Sequence, residues 1–99
     1  MPRPRLLRNV YIEPNVIYFK PAGIRMMDLE ETTLTIDEFE ALRLKDAEGY
    51  SEIEAAKKMK ISQPTFNRAI TLARKKLVDA LVKGNAIRIE GGTFRLVKK

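Results

Sequence analysis

The chain has 99 residues, 44% of them hydrophobic and 32% charged, which predicts one folded domain rather than a disordered segment. It contains no histidine and no cysteine, which excludes disulfides and removes the commonest general base, thiolate nucleophiles and the usual zinc ligands. We therefore predict a protein that is not an enzyme and has no metal site and no cofactor; no pattern indicates a small-molecule ligand.

No run of about 18 apolar residues is present, so the sequence predicts no membrane-spanning helix. The N-terminal stretch MPRPRLLRNVYIEP is basic but lacks the long apolar segment of a secretory signal. The absence of cysteine is compatible with a reducing compartment. These features together predict a cytoplasmic protein without a membrane partner.

The net charge of +6 is divided unevenly along the chain. Residues 1–25 hold five basic and one acidic side chain, residues 26–56 hold two and ten, and residues 57–99 hold twelve and two. A segment of charge +10 beside one of −8 is typical of a protein with a surface for a polyanion. The alternative is that the two segments neutralise each other within the fold.

The first 25 residues combine basic side chains with prolines at positions 2, 4, 14 and 21. Between the prolines lie two short β-prone runs, residues 10–12 and residues 16–19. Runs this short and bounded by proline do not form helices. We therefore predict a basic extended arm followed by one or two short strands within residues 1–25.

The first predicted helix lies in LTIDEFEALRLKDAEG, residues 34–49. Thr35 and Glu38 have the spacing of a capping box, in which each side chain accepts a hydrogen bond from the backbone N–H of the other residue. Gly49 is typical of a helix end because glycine adopts the left-handed conformation easily.

The second predicted helix is SEIEAAKKM, which begins after Ser51. Ser51 and Glu54 again have the spacing of a capping box. Helical periodicity places Ile53, Ala56 and Met59 on one face, which we predict to be the buried one.

The third predicted helix is the longest and runs from Gln63 to about Val82. Ser62 is its predicted N-cap, Pro64 lies in the first turn, where proline is tolerated, and Gly84 ends it. Apolar residues recur at helical spacing and predict a continuous core stripe. The stripe comprises Phe66, Ala69, Ile70, Ala73, Leu77, Ala80 and Leu81.

The C-terminal segment changes to a period of two, with apolar and polar residues alternating on both sides of Gly91-Gly92. This pattern predicts a β-hairpin over residues 86–97. The predicted fold class is therefore mainly α with small β elements, in a single domain of residues 1–99. Its core is a helix-turn-helix of three or more helices over residues 34–84, extended by the hairpin as in winged forms.

Only Lys60 and Ile61 separate Met59 from the next N-cap, Ser62. Two helices joined by so short a turn cross steeply, as in the helix-turn-helix motif. Lys60 stands where glycine is usual, because the turn needs a positive φ there. A side chain in that conformation costs about 1–2 kcal/mol, which a packed domain tolerates.

The outer side of the third helix near its start is predicted to enter the major groove of DNA. Glutamine and asparagine can form two hydrogen bonds to adenine, and arginine can form two to guanine. The predicted base-reading residues are Gln63, Pro64, Asn67, Arg68 and Thr71.

Further polar and basic residues near the turn and along the third helix are predicted to contact phosphates. They are Lys57, Lys58, Lys60, Ser62, Thr65, Arg74 and Lys75. The basic arm adds Arg3, Arg5 and Arg8. For any single lysine, a solvated surface position explains the residue equally well.

Five stretches in the same order resemble a family of small archaeal and bacterial proteins predicted to bind DNA. Their helix-turn-helix is similar to the fourth region of sigma-70 factors. The resemblance implies a DNA-binding fold and a role in transcription, but no target sequence. The stretches are MPRPR (1–5), YFKPAGI (18–24), LTIDEFEALRLKDAEG (34–49), EAAKKMKISQPTFNRAITLARKKLVDALVKG (54–84) and AIRIEGG (86–92).

The leading hypothesis is a sequence-specific binder of double-stranded DNA that regulates transcription, acting as a homodimer or higher homo-oligomer. The β-prone arm and the C-terminal hairpin are candidate dimer elements, because open strand edges pair readily.

Two alternatives remain open. One is a protein-interaction module, for example on the transcription machinery, that uses the acidic surface of residues 28–54. The other is an RNA binder in which the arm acts together with three aromatic stacking platforms, although the aliphatic neighbours of these rings favour a core position instead. The aromatic residues are Tyr11, Tyr18 and Phe19.

Overall fold

The computed structural model describes residues 7–98, and within them the chain forms three α-helices and five short strands. The predicted fold class, mainly helical with small β elements, is confirmed. In chain order the elements are β1 (Arg8–Val10), β2 (Tyr18–Phe19), a 3-10 turn (Met26–Asp28), β3 (Glu31–Leu34), α1 (Ile36–Leu42), a π-helical turn (Arg43–Ala47), α2 (Glu52–Met59), α3 (Gln63–Lys83), β4 (Ala86–Ile89) and β5 (Phe94–Leu96). None of the helices in this part of the chain is long and apolar enough to cross a bilayer.

The three helix starts are those that the sequence predicts. Thr35, Ser51 and Ser62 each accept a hydrogen bond from the backbone N–H three residues later, at 3.1–3.2 Å. The first two belong to complete capping boxes, and Pro64 lies in the first turn of α3. At the other end, Gly84 takes the left-handed conformation with φ of 71° and ends α3.

The main core lies where α3 crosses α1 and α2. Phe66 and Ile70 of α3 are buried against Met59 and Ala56 of α2 and against Leu44 of the π-helical turn. Phe66 and Met59 have no exposed surface at all. The crossing of α2 and α3 is therefore fixed by side chains on the underside of the start of α3.

Two of the predicted buried faces differ from those observed. Ile53 is 56% exposed, because α2 packs through Ala55, Ala56 and Met59 instead. On α3, Leu81 is 77% exposed, because the hollow that it lines together with Phe39 of α1 and Ile87 of β4 is open to solvent. The predicted core stripe of α3 is wrong at its last member.

The strands form two small sheets. In the first, of order β2–β4–β3, the central strand β4 runs antiparallel to β2 and parallel to β3. In the second, β1 and β5 pair in parallel, with Asn9 opposite Arg95. A second apolar cluster, built on Leu34, Ala73 and Ile89, joins the first sheet to α3.

The two C-terminal strands predicted around Gly91-Gly92 are present, but their hydrogen bonds go to other strands. The turn between them is attached to the start of α1, where Ile36 N–H donates to the Gly91 carbonyl at 3.0 Å. Gly92 lies against the Asp37 carboxylate, and a side chain at this position would collide with it. This attachment directs β4 into one sheet and β5 into the other.

Candidate nucleic-acid interface

The turn between α2 and α3 has the backbone conformation that its spacing predicts. Lys60 has φ of 57° and ψ of 45°, the left-handed region. Its N–H donates to the Lys57 carbonyl at 3.1 Å, and Ile61 N–H donates to the Ala56 carbonyl at 3.0 Å. These bonds end α2 and redirect the chain into Ser62, so the turn is short and internally bonded.

The outer side of the first half of α3 carries all the residues predicted to read bases. We call this set the recognition face: Gln63, Pro64, Asn67, Arg68 and Thr71, every one of them exposed. On the opposite side, Phe66 and Ile70 are 0% and 1% exposed. The buried anchors fix the rotation of α3 about its axis, and the recognition face consequently points to solvent.

Two members of the recognition face make side-chain contacts within the protein. The Asn67 amide donates to Glu52 Oε1 of α2 at 3.2 Å, and Arg68 donates to Thr65 Oγ1 at 3.3 Å. Both contacts are long and exposed, so water or a base edge can replace them at small cost. Glu52 is a neighbour that sequence reasoning missed, since it lies fifteen residues from Asn67 and carries no motif of its own.

Residues predicted to contact phosphates surround the start of α3 but differ in availability. Lys57, Lys60 and Ser62 are exposed, and Thr65 is half-buried. Lys58 lies over two aromatic rings, 4.9 Å from the centre of Tyr50 and 5.6 Å from that of Tyr11. Its ammonium group is therefore partly engaged within the protein.

Arg74 and Lys75, further along α3, are both held in ion pairs. Arg74 donates to both carboxylate oxygens of Asp46, at 2.6 and 3.1 Å. This hydrogen-bonded pairing lowers the pKa of Asp46 and raises the pKa of Arg74. Lys75 pairs with Asp79 at 3.0 Å. A phosphate would have to compete with these carboxylates.

Of the predicted basic arm, Arg3 and Arg5 lie outside the described residues. Arg8 begins β1 and is not extended away from the fold. Its guanidinium pairs with Asp37 at 2.7 Å, and the side chains are 28% and 7% exposed. Within the described chain, Arg8 therefore acts as a tie between β1 and α1.

Several carboxylates of the acidic segment are buried and paired. Glu40 has no exposed surface; it accepts from Arg43 at 2.6 and 3.0 Å and from the backbone N–H of Tyr11 at 2.7 Å. The Glu40 hydrogen bond is also the main cause that raises the pKa of Arg43. Glu38, 5% exposed, pairs with Lys76 of α3 at 2.7 Å. Asp37, Glu38 and Glu40 are thus buried and paired inside the fold, whereas other carboxylates of the segment, such as Glu54, remain exposed.

No three carboxylates converge closely enough to hold a metal ion in residues 7–98. The recognition face and the turn instead offer exposed amide, hydroxyl and cationic groups. Such groups donate hydrogen bonds to base edges and to phosphate oxygens.

Comparison with known proteins places the chain among relatives that are described by family rather than by activity. Residues 1–97 match the model of a family described as protein of unknown function DUF134. The chain is similar to UPF0251 proteins of Caldanaerobacter subterraneus, 57% identical over 97% of this chain and 81% of the relative, and of Thermoanaerobacter pseudethanolicus, 55% identical over the same shares. A UPF0251 protein of Dehalococcoides mccartyi is 54% identical over 97% and 82%. No solved structure matches.

Proposed function

This chain belongs to the DUF134 family, and we propose that it binds double-stranded DNA in a sequence-specific manner and regulates transcription in the cytoplasm as a homodimer or higher homo-oligomer. Its helix-turn-helix is, in this proposal, similar to region 4 of sigma-70 factors. The observation that carries the proposal is the recognition face, five exposed side chains on a helix whose opposite side is locked by Phe66 and Ile70.

The geometry supports insertion of α3 into the major groove. This groove is about 12 Å wide and admits one α-helix, and its edges differ for every base pair. α3 begins after the turn at Lys60 and Ile61 with Ser62 as its N-cap, and its first half carries the recognition face on its exposed side. In this arrangement, Asn67 reads adenine and Arg68 reads guanine through paired hydrogen bonds.

Contacts to phosphates fix the position of α3 in the groove. At the start of α3, Pro64 has no N–H and the Thr65 N–H is bound by Ser62, so the Gln63 N–H is the group available to a phosphate at the positive end of the helix dipole. Lys57 and Lys60 flank this end. We infer that one DNA strand passes over the turn and the start of α3, which holds the recognition face against the bases.

The two other functions have less support. The carboxylates of residues 28–54 are partly consumed in internal ion pairs, among them Glu40 and Glu38, which reduces the acidic surface offered to a protein partner. For an RNA binder, Tyr11 and Tyr18 are half-buried and covered by Lys58 and Arg88, so their rings are not open platforms.

The test is selection of duplexes from a random pool, followed by binding measurements on the selected site and on random DNA. We expect Arg68→Ala to weaken binding to the selected site by about 1–3 kcal/mol and binding to random DNA by much less. Arg68→Lys is the matched control for charge. It keeps the cation but loses the two-pronged hydrogen bond, so it should resemble Arg68→Ala on the selected site.

Two results would contradict the proposal. The first is that no sequence is enriched from the pool although the protein is folded. The second is that Arg68→Ala and Asn67→Ala bind the selected duplex as tightly as the unmodified protein does.

A further inference from the structure

An apolar groove runs beside the second half of α3, between this helix, the β2–β4–β3 sheet and α1. It has a volume of about 640 Å³. A smaller hollow of about 230 Å³ continues it toward the end of α3, and the two share Phe19, Leu81 and Ile87. We call the combined feature the apolar groove. Its remaining apolar walls include Leu34, Phe39 and Leu77.

The groove is not covered by residues 7–98. Leu81 is 77% exposed, and Phe19 across the groove is 52% exposed. Val78, one turn before Val82 on α3, is 56% exposed as well. Monomeric proteins seldom leave a large contiguous apolar surface in water, and such a surface marks a site of association.

We propose that a second copy of this chain covers the apolar groove, in a two-fold symmetric dimer whose axis passes close to Leu81. A two-fold contact is self-complementary, since the same surface is used twice. The side chain of Leu81 stands at the junction of the two hollows and is raised into solvent. In the dimer, Leu81 of each copy fills the apolar groove of the other copy.

The size of the groove fits a dimer interface. The two hollows are lined by eleven and eight residues, three of them shared, which makes sixteen different residues. A stable interface takes about 20–30 residues and about 800 Å² on each partner, roughly a tenth of the surface of a small protein. The sixteen lining residues supply most of that number, and exposed residues of α3 outside the groove, such as Val78, extend the contact.

The position of the groove leaves the recognition face free. At 3.6 residues per turn, the side of α3 that carries Leu77 and Leu81 lies about 80° around the helix from the side that carries Asn67 and Thr71. A copy seated on the groove therefore approaches α3 from the side. When the two-fold axis is parallel to the outward direction of the recognition face, both faces of the dimer point the same way.

The distance along α3 fits DNA, and this step rests on the proposed function. Leu81 is fourteen residues from Asn67, or about 21 Å at 1.5 Å per residue. Two recognition faces related by an axis at Leu81 are then about 42 Å apart when the helices are antiparallel, and about 38 Å apart when the helices depart from antiparallel by about 50°. Successive major grooves on one side of DNA are about 34–36 Å apart.

The first experiment is sedimentation velocity at tens of micromolar without DNA. We expect the unmodified chain to sediment as a dimer and Leu81→Glu to sediment as a monomer. Ile53→Glu is the matched control: Ile53 is 56% exposed on α2 and does not line the groove, so this variant should remain a dimer. Circular dichroism establishes that each variant is folded, which the high exposure of both side chains favours.

The second experiment uses the absence of cysteine from the chain. Leu81→Cys introduces one thiol near the proposed axis, where two copies bring their Cα atoms within disulfide range of about 7 Å. Mild oxidation should give a covalent dimer in high yield. Lys57→Cys, on α2 and away from the groove, should give only the background yield of random collisions.

A monomeric unmodified chain, a dimer that survives Leu81→Glu, or equal cross-linking at positions 81 and 57 would each overturn the proposal. The proposed function is tested separately by duplex binding. A dimer without DNA affinity would refute DNA binding and leave the groove contact intact. A monomer that still binds a selected half-site would refute the groove contact and leave DNA binding intact.

Discussion

Lys60 lies in the left-handed region of backbone space, and among residues 7–98 no other non-glycine residue has a positive φ. Glycine would hold this conformation without the steric cost of a Cβ atom, about 1–2 kcal/mol. The protein thus carries a strained lysine beside the start of α3. In a DNA-binding protein the gain from that residue is a positive charge next to the phosphate path.

We expect Lys60→Gly to raise the free energy of unfolding by about 0.5–1 kcal/mol, because relief of strain exceeds the added flexibility of the unfolded chain. Urea denaturation followed by circular dichroism measures this change. Lys57→Gly, three residues earlier and within α2, is the control and should lower stability by about 1 kcal/mol. A destabilised Lys60→Gly would mean that the lysine side chain makes a favourable contact larger than the strain.

The conformation of Lys60 was predictable, because two N-caps and a two-residue gap leave only one way to connect the helices. The burial of Glu40 was not predictable from the sequence. In the sequence it is one of ten acidic residues in an apparently solvated segment. Its burial depends on the backbone N–H of Tyr11, 29 residues away, and such a partner leaves no local pattern.

α2 and α3 each begin at an N-cap serine, and the side chain of that serine accepts a hydrogen bond from the backbone of the helix that follows it. Ser62 accepts from Thr65 N–H at 3.2 Å at the point where α3 would meet DNA. This one residue therefore contributes both to the stability of α3 and to the charge that a phosphate would encounter.

Replacing Ser62 separates these two contributions. We expect Ser62→Ala to lower the free energy of unfolding by about 1 kcal/mol, through loss of the cap. Ser62→Asp keeps the cap and adds a negative charge that suits the helix N-terminus, so stability is retained while affinity for any duplex falls. Urea denaturation and fluorescence anisotropy measure the two quantities. If Ser62→Asp binds DNA normally, phosphates do not approach this end of α3.

The capping box of α2 makes stability depend on pH. The pKa of Glu54 is lowered because its carboxylate accepts from the backbone N–H of Ser51, and further because of a hydrogen bond with the Ser51 side chain. A folded-state pKa below the unfolded value of 4.5 means that the contribution is present above pH 4.5 and is lost as pH falls through the folded value.

We therefore expect Glu54→Gln, which keeps an acceptor but does not titrate, to lose less stability than the unmodified chain between about pH 5 and pH 3. Urea denaturation at a series of pH values measures the difference. Asp46 and Glu31, whose pKa values are also lowered, titrate equally in both proteins and cancel. Parallel pH profiles would show that the Glu54 carboxylate is not bound in the folded protein.

At the level of elements, sequence periodicity located the helices but not all of their partners. The buried face of α3 was predictable at Phe66 and Ile70, which meet α2, its neighbour in the chain. The burial was not predictable at Leu81, because helical spacing shows that an apolar side chain lies on a given face but not whether another element covers that face. The strand partners of β4 and β5 were equally hidden, since they depend on residues more than fifty positions away.

Over the whole molecule, three of the ten carboxylates in residues 26–56 are buried beside cations, and the other seven are partly or fully exposed. Arg8, Arg43 and Lys76 neutralise buried carboxylates, whereas Lys57 and Lys60 remain exposed beside the turn. Lys57 and Lys60 therefore place two exposed positive charges beside the turn. The positive sign of the charge beside the turn was predictable from the sequence. Which cations are exposed and which are held in ion pairs was not.

We expect the affinity for duplex DNA to fall with salt, with a log–log slope of about −0.9 for each neutralised phosphate. Lys57→Gln and Lys60→Gln should each reduce the magnitude of the slope by about one. Lys83→Gln, at the opposite end of α3, is the control and should leave it unchanged. Titrations at several salt concentrations measure the slopes. An equal effect of all three changes would indicate general attraction without a defined phosphate path.

The parallel pairing of β1 with β5 joins residues about 86 positions apart. Closing so large a loop is entropically slow, while the helical region forms through contacts between near neighbours. We therefore expect assembly to run from the middle of the chain outward, with the terminal sheet forming last and opening first. Detachment of β1 would also break the Arg8–Asp37 ion pair while α2 and α3 remain packed.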